Sequence, residues 1–188
     1  MTSEYIVAAP RDQQETRGCI RVHPSGLYVD PFNMRPEDLR IQDIAHGLAG
    51  INRYTGHTPV PYNVAQHSVL VSQEFLHRDL RLAGLLHDAA EYVFNDIASP
   101  VKRHPAMRAY VEALESLDRL IFTTFGLDPG LMKTVKSADD AIFQRETASF
   151  WGSIPVVKRI RPWSAGHSED MFLAEFRALG GRSMLEAA

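Results

Sequence analysis

RLAGLLHDAAEYVFNDIASPVK, residues 81–102, decides how the rest of the chain is read. Leu82, Leu85, Leu86 and Ala89 recur at helical spacing and mark a helix with one buried side, which Asp79 is placed to cap. An adjacent His87 and Asp88 follow the leucines, and Glu91 and Asp96 come at offsets of 3 and 8 from Asp88. Successive helical residues point about 100° apart, so His87 and Asp88 do not face each other, yet both can reach one ion lying between their directions. A carboxylate on so apolar a helix is costly to bury unless it is paired or coordinated. The stretch therefore predicts a divalent metal site whose other ligands come from elsewhere.

Immediately upstream, YNVAQHSVLVSQEFLH (62–77) begins a helix with Asn63 as its cap. Val64, His67, Val71 and Phe75 form one stripe. A single histidine on such a face is ordinarily a core residue with one hydrogen bond; a second histidine aimed at the same place makes it a ligand. Before it, Pro36, Glu37 and Asp38 look like a helix start, and Ile44, Leu48 and Ile51 predict a helix from Ile41 or Asp43 to Tyr54, stopped by Gly56. On that helix His46, Gly50 and Arg53 would share a polar face, and the planar guanidinium of Arg53 suits a phosphate.

Downstream, Lys102, Arg103 and His104 bring the densest positive charge near the motif. A long amphipathic helix follows, with Tyr110, Val111, Leu114, Leu117, Ile121 and Phe125 on its apolar face, Gly126 as its stop, and Asp118 and Arg119 expected at the surface. The next helix carries Val135, Ala138 and Ile142 inward, which puts Asp139 at the border of the core and turns Asp140 outward. GSIPVVKRIRPWSAGH (152–167) reads as a loop with a second basic cluster of Lys158, Arg159 and Arg161, and Ser168 is read as the cap of a closing helix. At the other end, residues 1–17 have no period and read as a flexible lead-in. Cys19–His23 and Leu27–Asp30 flank Pro24-Ser25-Gly26 as a small β-hairpin, with His23 a solvated turn residue. The fold class is all-α with a small N-terminal β-hairpin, as a single domain over 1–188.

Bulk properties narrow the partners. A length of 188 residues suits one domain with a substantial core, and a net charge of −3 gives no general attraction to nucleic acid polymers or anionic membranes. The single Cys19 excludes an intramolecular disulfide and a cysteine-rich zinc site, in keeping with a reducing cytoplasm. No apolar run approaches the roughly 20 residues of a membrane span, and the N-terminus lacks a signal-peptide pattern. A soluble cytoplasmic protein is the expectation.

The order His67, His87-Asp88, Asp139, spaced 20 and 51 residues apart, resembles the HD-domain metal-dependent phosphohydrolases. The resemblance runs from about Asp43 to Glu146 and is carried by YNVAQHSVLVS, GLLHDAAEYVFNDIASPVK and VKSADDAIFQRE. It is similar in particular to the small bacterial 5′-deoxynucleotidase branch and to the related phage dATP triphosphohydrolases. Such membership implies an HD-domain helical bundle with His67, His87, Asp88 and Asp139 as metal ligands, Glu91 and Asp96 as acidic catalytic residues, and Arg53 and Lys102 as phosphate contacts. Tyr54 stands where the nucleotidase branch carries a tryptophan, at a position expected near the sugar. The mixed nitrogen and oxygen set suits Mn²⁺, Co²⁺, Fe²⁺, Ni²⁺ or Zn²⁺ rather than Ca²⁺. The expected reaction is release of phosphate from 2′-deoxynucleoside 5′-monophosphates. A deoxynucleoside triphosphate triphosphohydrolase and a non-catalytic HD-fold scaffold are the alternatives, with a signalling-nucleotide hydrolase behind them. A homo-oligomer is implied by the resemblance alone.

Overall fold

The protein is described by a computed structural model covering residues 18–152 and 159–181. The expected lead-in over 1–17 and Lys158 of the second basic cluster lie outside the described residues.

The architecture is all-α with a small antiparallel hairpin. Strands β1 (Ile20–Arg21) and β2 (Tyr28–Val29) pair Ile20 with Val29 and Arg21 with Tyr28. Their turn is tied to the first helix, because the buried carboxylate of Asp43 accepts from Ser25 N at 2.9 Å and from Ser25 Oγ at 2.6 Å. Pro36–Asp38 forms a single 3₁₀ turn rather than the start of a longer helix.

Helix α1 (Ile41–Gly50) buries Ile44, Ala45 and Leu48 and ends earlier than its periodicity predicts. Ile51 turns extended, and the chain pairs with the approach to the next helix: Asn52 bridges Asn63, Arg53 N donates to Tyr62 O at 2.8 Å, and Val64 N donates to Ile51 O at 3.0 Å. These cross-chain bonds replace the intrahelical bonds that would have carried α1 to Tyr54. His46 and Arg53 consequently share no face. His46 bonds Glu169 Oε2 at 3.0 Å on the outside of the bundle, whereas Arg53 leaves the helix and turns inward.

Helix α2 (Val64–Ser72) is capped by Asn63, whose side chain accepts from Gln66 N at 2.9 Å. It is buried on nearly every side, from Val64 to Ser72, and packs against α1, α3 (Arg78–Leu86), α7 (Met132–Phe150) and α8 (Ala165–Ala178). A helix buried all round is the axis of its domain. Gly84 lets α3 close on that axis: a Cβ there would lie 3.1 Å from the backbone of Ser72. His77, not Asp79, is the N-cap residue of α3, and Asp79 sits in the first turn, where a negative charge favours the helix dipole.

Past Leu86 the predicted helix does not run on. The ladder tightens to bonds from residue i to i+3, with Ala89 N to Leu86 O at 3.0 Å and Glu91 N to Asp88 O at 3.1 Å. Short α4 (Glu91–Phe94) and α5 (Ser99–Lys102) follow. Helix α6 (Arg108–Thr124) supplies Leu117, Ile121 and Phe122 to the core, α7 supplies Val135 and Ile142, and α8 supplies Phe172 and Phe176. Ser164 caps α8, and Ser168 is instead fully buried within it. Asp118, expected at the surface of α6, is 4 % exposed, because it lies on the side of the helix that carries Leu117 and Ile121 into the core. No described helix is long and apolar enough to cross a membrane.

Candidate metal centre

Two histidines meet because α3 lies against α2. His67 sits at the middle of the buried helix and is 0 % exposed; His87 follows the last residue of α3 and is 8 % exposed. Their Nε2 atoms are 3.3 Å apart. Each ring is fixed from behind. His67 donates its Nδ1 proton to Glu146 Oε1 at 2.7 Å, and His87 donates its Nδ1 proton to Gly84 O at 2.8 Å. In their neutral forms the rings keep the proton on Nδ1, and both Nε2 lone pairs then point into the same small space.

Carboxylates complete that space. Asp88 Oδ2 is 3.2 Å from His87 Nε2 and 3.6 Å from His67 Nε2. From α7, Asp139 Oδ1 is 3.2 Å from His67 Nε2 and 3.9 Å from His87 Nε2. The ligand atoms of His67, His87 and Asp88 all lie within 4.8 Å of one another, so this group can hold a metal ion. Atoms about 2.0–2.2 Å from one ion at angles near 90–110° stand about 2.8–3.6 Å apart, which these separations approach. The donor chemistry fits as well: lone pairs and negative oxygens this close repel unless a cation or shared protons lie between them. Proton affinities show the same strain. Against burial, Asp88 and Asp139 push His87 up to about 9. Despite their own burial, Asp88 and Asp139 are held well below the usual carboxylate range by the two imidazoles.

The tightened turn matters here. Bonding changes from i+4 to i+3 over 86–92, directly after His87, which itself keeps helical dihedrals with φ of −64° and ψ of −29°. Asp118 of α6 supports this turn from beneath, accepting from Ala90 N at 3.3 Å. Its burial, and then the charge of Asp88, push its carboxyl up to about 8.

Around the centre lie the other candidate residues. Glu91 is 3 % exposed and accepts from Lys102 Nζ at 2.6 Å through Oε1. Its Oε2 is buried with no hydrogen-bond partner among the described residues. Burial, with Asp88 and Asp96 nearby, pushes the Glu91 carboxyl well above its ordinary range. Asp96 stands 4.0 Å from the same ammonium and is pushed upward by burial. It follows Asn95, whose φ of 70° and ψ of 156° belong to a region that is almost exclusively glycine's. Tyr110 on α6 holds this kink, its hydroxyl lying 3.1 Å from Phe94 O and 3.0 Å from Asn95 O.

Arg53 lies 3.5 Å from Asp88 Oδ2 and 3.3 Å from Glu146 Oε2, with its side chain 12 % exposed. Arg53 and Lys102 thus both engage carboxylates of the site. Of the remaining basic residues, Arg103, His104, Arg159 and Arg161 are exposed, and His104 uses Nδ1 to accept from Ala106 N at 3.2 Å.

One residue of this neighbourhood escaped the sequence reading. Glu146 is 0 % exposed, and its carboxylate receives His67, Arg53, Tyr54 and Tyr62. The signal was present: Glu146 lies seven positions after Asp139, two helical turns along the same side of α7. Against its burial, His67 and Arg53 hold the Glu146 carboxyl down at about 2.

Comparison with known proteins adds relatives but no activity. No family model matches the chain. An uncharacterized protein of Rhodobacter capsulatus is 40 % identical over 122 residues, which make up 61 % of this chain and 62 % of that protein, so the chain spans less than two thirds of that relative. The uncharacterized protein YfdR of Escherichia coli K12 is 34 % identical over 165 residues, covering 81 % of this chain and 90 % of YfdR. By that extent of identity the chain belongs to the family of YfdR.

Proposed function

We propose that this protein is an HD-type metal-dependent phosphohydrolase that releases phosphate from nucleotides, with 2′-deoxynucleoside 5′-monophosphates as first choice. The observation that carries the reading is the convergence of His67, His87 and Asp88, with Asp139 alongside, next to Glu91, Asp96, Arg53 and Lys102. When bound, a divalent cation supplies Lewis-acid polarisation of a phosphoryl oxygen and makes water more acidic.

The chain's own residues then divide the remaining work. Glu91 Oε2, buried and without a hydrogen-bond partner among the described residues, is the oxygen free to accept a hydrogen bond and a proton from an attacking water. Lys102 keeps Glu91 in place and adds positive charge where phosphoryl oxygens become more negative. Arg53 bridges Asp88 and Glu146 and is the second cation placed to meet a phosphate oxygen. Asp96, fixed by the Asn95 kink, stands ready to protonate or hydrogen-bond the leaving oxygen. The ion belongs to the Mn²⁺, Co²⁺, Fe²⁺, Ni²⁺ or Zn²⁺ group by its donor set. A cytoplasmic homo-oligomer completes the proposal, the assembly state being read by light scattering.

The test is a panel of nucleoside mono-, di- and triphosphates in ribo and deoxy forms, each with added Mn²⁺ or Co²⁺ and with product identification. Phosphate release from deoxynucleoside monophosphates is the expected result. Release of intact triphosphate would replace it by the triphosphohydrolase, and no turnover with no retained metal would leave a scaffold.

A further inference from the structure

The carboxylate of Glu146 is placed between the two functional halves of the centre. Its Oε1 accepts from His67 Nδ1 and from the Tyr62 hydroxyl, both at 2.7 Å. Its Oε2 accepts from the Tyr54 hydroxyl at 2.6 Å and from an Arg53 terminal nitrogen at 3.3 Å. An ionised carboxylate offers about four acceptor sites, so the set is filled. The approach of Arg53 and Tyr54 requires an unusual backbone: Tyr54 and Thr55 have φ of 56° and 54°, the left-handed region that non-glycine residues seldom occupy. Local strain is accepted here in return for two donors on one buried oxygen.

We propose that Glu146 is the positioning residue that couples these halves: through Oε1 it fixes the His67 proton on Nδ1 and leaves Nε2 for the metal, and through Oε2 it holds the Arg53 guanidinium beside Asp88, where an anion binds. His67 is 0 % exposed, so solvent does not choose its tautomer; the groups around it do. Arg53 has its Nε buried without a hydrogen bond among the described residues, so the orientation of its fork depends on the Glu146 and Asp88 contacts. One carboxylate therefore sets both a metal ligand and a phosphate contact. The inference rests on the metal reading of the centre and does not depend on which ester is hydrolysed.

Glu146→Gln is the discriminating substitution, because an amide of the same shape has one accepting and one donating end. If its nitrogen faces His67, the imidazole proton moves to Nε2 and blocks ligation. If its nitrogen faces Arg53, two donors oppose each other and the guanidinium is released. Calorimetric binding of Co²⁺ to the full-length protein, then of inorganic phosphate to the Co²⁺-loaded form, reads the two halves separately. Nitrogen NMR of the histidine rings reports the tautomer directly. The expected result is a loss of about 10- to 100-fold in Co²⁺ or phosphate affinity, with a changed His67 tautomer whenever the metal arm is the one lost. Tyr62→Phe removes a neutral donor from the same carboxylate and is expected to change either affinity by less than about threefold. A folded Glu146→Gln protein with both affinities within about twofold of wild type would overturn the inference. So would a Tyr62→Phe protein that loses as much, since packing rather than the carboxylate would then be responsible. Wild-type protein that binds no Co²⁺ would overturn the metal reading and this inference together. Neither readout is turnover, so a failure of the hydrolase assignment does not decide the test.

Discussion

Replacing Asp118 by asparagine should stabilise the protein, and the gain should grow with pH. Asp118 is 4 % exposed, its carboxylate accepts one backbone bond of 3.3 Å from Ala90, and the nearby Asp88 is negative. Burial first and Asp88 second push its carboxyl from 3.8 in the reference state to about 8 in the folded protein. Between these values the folded chain keeps a proton that the unfolded chain has released. The contribution of Asp118 to stability therefore falls as pH rises from about 4 to about 8 and is level on either side of that window. Four units at about 1.4 kcal/mol each set a ceiling of about 6 kcal/mol, and local relaxation around the carboxyl brings the expected effect to about 2–5 kcal/mol. Asparagine retains the oxygen that accepts from Ala90 and cannot ionise. Urea denaturation of both proteins from pH 4 to pH 9, in chelator so that metal linkage does not intrude, measures the difference. It should be small at pH 4 and reach its full size above pH 8. A difference that stays constant across the window would refute the buried, elevated carboxyl, and with it the account of how α6 supports the His87-Asp88 turn.

Three further substitutions probe the packing and the chemistry. Gly84→Ala places a methyl about 3.1 Å from the Ser72 backbone; the helix-propensity gain of about 1 kcal/mol is outweighed by overpacking of α3 on α2, for a net loss of about 1–2 kcal/mol in urea denaturation. Metal affinity should fall as well, since this contact brings His67 and His87 within 3.3 Å of each other. Asp88→Ala removes a carboxylate oxygen 3.2 Å from His87 Nε2 and 3.6 Å from His67 Nε2 and should abolish metal retention, measured by metal analysis after gel filtration; retention at the wild-type level would remove Asp88 from the ligand set. Glu91→Gln should leave the metal bound and lower the turnover rate by about 10²- to 10⁴-fold; near-normal turnover would take Glu91 out of the chemistry.

Much of this organisation was legible in the sequence because its determinants are local. Helical periodicity does not need distant contacts, and it located the helices of His67, His87 and Asp139 together with the Asn63 cap. The hairpin followed from two β-prone runs around Pro24-Ser25-Gly26. The adjacency of His87 and Asp88, with Glu91 and Asp96 close behind, marked the centre from the residue types alone. Glu146 was within reach of the same reasoning, on one side of α7 with Asp139, but a buried glutamate and a solvated one look alike until the partner is known.

What only the tertiary structure decided depends on contacts between residues far apart in the chain. Pairing of 51–53 with 62–64 ended α1 before Arg53 and turned the guanidinium toward Asp88 and Glu146, an outcome invisible to a periodicity that continues through Ile51. Asp118 entered the core because its side of α6 faces the His87-Asp88 turn, although its neighbours in sequence mark it as a surface residue. The tightening after Leu86 and the approach of His87 to His67 likewise become visible only with α2 in place. Sequence periodicity states which side of a helix is apolar; which polar groups are buried with it, and what they meet, is settled by the helices packed against that side.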